Sequence, residues 1–102
     1  MMASEWEQER AREISEAVLQ GQLSILEGAS ALCPLARTDA IASEADRRTI
    51  IGVESETDHL PIGEVRRLWA PSVLEEKDLE IARCEALYRD NVIGVCQRIL
   101  NK

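Results

Sequence analysis

A chain of 102 residues, 45% hydrophobic and without a single phenylalanine, is the size of one domain (residues 1–102) with a core of Leu, Ile, Val and Ala. Its aromatic residues are Trp6, Trp69 and Tyr88, too few to build a stacking platform for single-stranded nucleic acid. A formal net charge of -7 argues against nucleic acid and against an anionic membrane, since both call for a basic surface.

Ser4-Glu5-Trp6-Glu7 has the form of a capping box and predicts a first helix from there to Gly21. Ile14, Ala17 and Val18 recur at helical spacing on its dry side, with Glu9, Arg10, Arg12, Glu13 and Glu16 mainly wet. The N-terminal stretch "MMASEWEQER" is acidic where an export signal is basic and then apolar. No run approaches the ~18 apolar residues needed to span a bilayer. With an odd number of cysteines, Cys33, Cys84 and Cys96, the expectation is a reduced, cytoplasmic protein whose thiols act as small buried hydrophobes.

Ser24-Ile25-Leu26-Glu27 is a second box, opening a short helix to about Leu32. Cys33-Pro34 is expected to stop it, because a residue before proline is pushed out of helical dihedrals. Ser43 caps a third helix expected to run through Ile51 and end at Gly52. "ESETDHLP" (Glu54 to Pro61) then reads as an acidic loop in which Thr57 or Asp58 caps the next turn. A short helix follows around Gly63 to Trp69.

The last helix is expected to start at Pro71 with Ser72 as its cap. Ile81, Cys84, Tyr88, Val92, Val95 and Ile99 form one stripe along it, and Asn91 and Gly94 are candidate points of bending. Arg98 and Lys102 suit its negative end. Cys84 and Cys96, twelve residues apart in it, lie about 18 Å apart along the axis and cannot pair. The whole is an all-α domain, a bundle or orthogonal array of about four to five helices. At about 42 Å the last helix exceeds such a globule, so its end projects or packs against a second copy, giving a homodimer.

The candidate chemistry lies in "ESETDHLP", which holds the only histidine. Glu54, Glu56 and Asp58 alternate like the first ligands of an EF-hand, but His59 stands where glycine is needed and Val65 where a bidentate Glu belongs. No zinc spacing is present. Ser30 lacks the strand and second glycine of a nucleophile elbow, which argues against a Ser30–His59 triad. No metal or cofactor is assigned and no catalytic residue is named. Glu54 and Glu56 are expected to pair with Arg66 and Arg67, with His59 half-buried.

The segment "GVESETDHLPIGEVRRLWAPSVLEEKDLEIA" (Gly52 to Ala82) resembles a family of small bacterial proteins of unknown function. In that family an SETDHLP-like turn precedes a VR-x-x-W helix and a long, acidic-capped helix. The resemblance extends more loosely to "AVLQGQLSILEGASAL". It implies an all-α cytoplasmic protein, lends no reaction, and carries only a class analogy to antitoxin or immunity partners.

The reading is a non-enzymatic protein-interaction module, of inhibitor or immunity type, with no nucleic-acid or membrane partner. It offers Glu54, Glu56, Asp58, His59, Glu64, Arg66 and Trp69 to a basic protein partner. One alternative is a metal-binding or hydrolase-like enzyme using Glu54, Glu56, Asp58 and His59. Another is a structural module self-associating through the last helix, with Val95 and Ile99 the residues whose replacement would test it.

Overall fold

A computed structural model describes residues 3–101. Among them lie four α-helices and two 3-10 helices and no strand: α1 (Glu5–Leu19), α2 (Ile25–Leu32), a 3-10 helix at Cys33–Arg37, α3 (Glu44–Thr57), a second 3-10 helix at Gly63–Leu68, and α4 (Pro71–Leu100). The protein is an all-α bundle.

Both N-terminal capping boxes form as the sequence predicts. Ser4 Oγ accepts from Glu7 N while Glu7 Oε1 accepts from Ser4 N, and Ser24 and Glu27 repeat the exchange. Gly21, at φ 77°, closes α1 in a Schellman motif: Gln22 N donates to Ala17 O at 2.8 Å and Gly21 N to Val18 O at 3.1 Å.

Three boundaries differ from expectation. The α2 helix ends at Leu32, but Cys33 keeps helical dihedrals (φ -56°, ψ -47°) and the chain continues as a 3-10 helix around Pro34. Pro34 sits in the first turn of that helix, where an amide donor would have no partner to lose. Gly52 does not end α3, which runs on to Thr57. Its inner face explains why: Asp46, Ile50, Val53 and Thr57 are all buried and recur at steps of four, three and four residues. Ser72 is not the cap of α4 either; Ala70 holds that position in extended geometry and Pro71 takes the first helical one. Lys102 lies outside the described residues, and Arg98, expected at the helix end, turns instead to Asp46.

The short helix α2 is central, packing against α1, α3, α4 and the Cys33–Arg37 turn. Its amides Ile25 N and Leu26 N donate to the two carboxylate oxygens of Glu85, from the middle of α4, at 3.2 and 2.7 Å. Gly28 faces α1 so closely that a β-carbon there would collide with Val18 Cγ2. Asp46, almost wholly buried, receives both Nε and a terminal nitrogen of Arg98, the closest contact 2.8 Å, which ties α3 to the end of α4.

The core is aliphatic throughout, built on Ile14, Leu26, Leu32, Ile41, Ile50, Val92 and Val95. All fully buried residues of α4 lie in its last third: Val92, Val95, Cys96 and Ile99. Val95 and Ile99 are therefore core residues, so replacing them would test the core rather than the exposed side of the last helix. Ile81, Cys84 and Tyr88 are half-buried, so the first half of α4 forms an arm along the 44 Å long axis of the molecule. The helix is unbroken through Asn91 and Gly94.

Two substitutions test the packing. Gly28→Ala should destabilise by about 1–2 kcal/mol despite alanine's better helix propensity, because stiff, buried Val18 cannot give way. Adding Val18→Ala should return part of that loss relative to Val18→Ala alone. Among the described residues Ser15 Oγ is the one buried side-chain oxygen or nitrogen without a conventional hydrogen bond. Ser15→Ala should therefore gain about 1 kcal/mol. Urea melts followed by circular dichroism at 222 nm read all of these.

Candidate functional site

The extension of α3 takes the acidic stretch apart. Residues two apart on a helix point some 200° from one another, so Glu54 and Glu56 leave α3 on different sides. Their neighbours differ accordingly. The charge of Glu54 acts on the Cys33 thiol, and that of Glu56 on Cys84. Asp58 is the exposed C-cap. Neither Thr57 nor Asp58 caps the following turn. Thr57 Oγ1 donates back to Val53 O at 2.7 Å, and the second 3-10 helix begins at Ile62 without a side-chain cap.

His59 turns to α4 rather than to the acidic residues beside it. Its Nε2 lies 2.9 Å from Glu80 Oε2, and over half of its side-chain surface is exposed, more than the half-buried ring expected. Arg66 likewise passes over Glu54 and Glu56. Its two terminal nitrogens grip Asp78 at 2.7 and 3.1 Å, and one also donates to Pro61 O at 3.2 Å. That planar fork is a geometry lysine cannot reproduce. These two ion pairs fasten the connector Asp58–Arg66 along the arm of α4, and their work is architectural.

Glu64 and Trp69 remain. Glu64 is exposed and, with Pro61, Ile62, Arg66, Ile81 and Glu27, lines a shallow groove of about 500 Å³ between the start of α2 and the arm. Trp69 is half-buried; the exposed indole is Trp6, at 69%. Of the seven residues predicted as a single surface, His59 and Arg66 hold the arm and Glu64 lines the groove beside Arg66. Glu56 faces Cys84 on the arm, Glu54 and Asp58 leave α3 on another side, and Trp69 is half-buried.

Sequence reasoning missed an apolar elbow. The Gly63–Leu68 helix buries none of its residues, and Val65 and Leu68 stand 47% and 79% exposed, with Val73 following at 37% on the first turn of α4. A 3-10 reading of Gly63–Leu68 would have signalled it, since three residues per turn place Val65 and Leu68 on the same line. Around the elbow, Glu64, Glu75 and Glu76 are exposed and, among the described residues, in no ion pair; Arg67 is exposed beside them.

Among the described residues, no three or more His, Cys, Asp or Glu side chains gather as a metal site. His59 meets Glu80 and not Ser30. No cysteine is an activated nucleophile: burial pushes all three thiols up, with Glu54 adding to the effect at Cys33 and Glu80 at Cys84. Contact with the Ser15 hydroxyl only partly offsets burial at Cys96. No helix among the described residues is long and apolar enough to cross a membrane. No family model matches the chain, and no curated protein or solved structure matches it.

The arm's fastening has a pH signature. The Arg66 hydrogen bonds hold the Asp78 carboxyl below its ordinary range, and the His59 hydrogen bond does the same for Glu80. Carboxyls held low in the folded state contribute stability above their unfolded pKa, and that contribution disappears as pH falls through and below about 4. The urea midpoint should therefore drop between pH 6 and pH 3. In Asp78→Asn the drop should be shallower.

Proposed function

We propose that the protein is a non-enzymatic interaction module that docks a basic protein partner on the elbow formed by Gly63–Leu68 and the first turn of α4. The observation that carries this reading is the concentration of exposed apolar surface there. Five of the eight large hydrophobic side chains that stand exposed fall between Val65 and Leu87, and the three at the elbow sit among unpaired carboxylates. An apolar patch whose rim carries three carboxylates against one exposed cation, Arg67, supports docking in two stages. Glu64, Glu75 and Glu76 steer a basic surface into place, and Val65, Leu68 and Val73 hold it once water is excluded.

The ion pairs of Arg66 and His59 support the same reading, because they keep an otherwise unburied segment in one conformation before a partner arrives. The class is that of an inhibitor or immunity-type protein, acting by occupying a partner's basic surface. The three unpaired thiols suit a reducing cytoplasm.

Site-specific photocrosslinking from position 72, next to the elbow, in the cells that make the protein tests this. A discrete crosslinked protein should appear, weaken as salt is raised, and vanish in Val65→Ser/Leu68→Ser. It should persist in Leu19→Ser/Ile51→Ser, which removes comparable exposed apolar surface elsewhere. Equal loss in both double variants, or no discrete species at low salt, overturns the proposal.

A further inference from the structure

The elbow leaves two exposed leucines unaccounted for, Leu79 and Leu87, each 68% exposed in the middle of α4. At 100° per residue, the buried Val92, Val95, Cys96 and Ile99 share one side of this helix. The opposite side carries Leu79, Arg83, Ala86, Leu87 and Asp90, with Ala82 at its edge, and each of them is exposed. Nothing among the described residues covers this face.

Its charges have a pattern of their own. Arg83 and Asp90 are seven residues apart, about 10.5 Å along the axis, too far to meet within their helix. The residues one turn from Asp90 on either side, Ala86, Leu87, Ile93 and Gly94, carry no charge. Glu80, one turn from Arg83, is engaged by His59 and Lys77. Among the described residues neither Arg83 nor Asp90 forms an ion pair.

We propose that this face pairs antiparallel with the same face of a second copy, about a two-fold axis at Ala86–Leu87. In that arrangement residues equidistant from the axis face each other across the interface. Arg83 of one copy then meets Asp90 of the other, and by symmetry the contact is made twice, as an isologous interface requires. Ala86 of each copy meets Leu87 of the other at the axis, and its small side chain lets the two helices approach closely. Parallel pairing is disfavoured because it sets Arg83 against Arg83 and Asp90 against Asp90. The self-complementarity of the two charges about one point selects a second copy as occupant. The surface is separate from the elbow, so either proposal can fail alone.

Sedimentation equilibrium at low salt tests the pairing, over a series from about 10 µM to about 1 mM because interfaces this small associate weakly. The wild-type mass should rise from 11.4 kDa toward twice that value. Arg83→Glu alone and Asp90→Arg alone each place like charges opposite one another and should weaken association about tenfold or more. An equimolar mixture of the two variants restores both opposite-charge contacts and should recover the mass increase as a heterodimer. Circular dichroism confirms that each variant folds. A wild type that stays monomeric throughout, single variants that associate like wild type, or a mixture that fails to recover overturns the proposal.

Discussion

The carboxylate of Glu85 holds the start of α2, and most of the bundle follows from that contact. An eight-residue helix is too short to persist alone, and its first amides have no partners within the helix. Ser24 satisfies one of them locally. Glu85 takes two more from the middle of α4, so the helix that touches every other part of the core is set in place by the longest one. A negative group at that end also complements the helix dipole. Asp46 and Arg98 repeat the principle at the other end of α4, where the carboxylate is buried and the guanidinium partly exposed. In a core without phenylalanine, where shape alone discriminates weakly among aliphatic neighbours, these charge-assisted contacts give α4 its register.

Much of this fold was legible along the chain and much of it was not, for one physical reason. Both capping boxes and the glycine turn after α1 are local, acting over three to five residues, and the sequence displays them directly. Glu85 and Asp46 find partners 60 and 52 residues away. In the sequence each looks like an ordinary helix-surface acid, and Asp46 in particular like a first-turn residue of α3. The misplaced end of α3 has a similar origin. Gly52 and the β-branched Thr49, Ile50 and Ile51 weaken local helix propensity, and burial of Ile50, Val53 and Thr57 on one face overrides it.

The candidate site changed because that boundary moved. Three alternating acids form a cluster only on an extended or looped chain. Wound into a helix, Glu56 diverges from Glu54 and Asp58, and an apparent ligand set is split between two sides of α3. His59 and Arg66 then do what lone charged residues near a connector often do, fastening it to a neighbouring helix. What the sequence concealed was the elbow, because the spacing of Val65 and Leu68 puts them on one line only in a 3-10 helix and does not say whether that line will be covered. A surface of that kind becomes visible only once the rest of the core is complete without it.

The distribution of the aromatic residues bears on how the molecule can be observed. Trp6 stands in solvent on α1, Trp69 is half-covered beside the elbow, and neither belongs to the aliphatic core. Indole fluorescence is thus nearly blind to the packing that defines the folded state. The Trp69 emission reports on the elbow, where an arriving partner would strip water from the ring and shift its spectrum. Under the proposed docking, the same optical channel that is a poor gauge of the aliphatic core becomes a label-free gauge of the elbow.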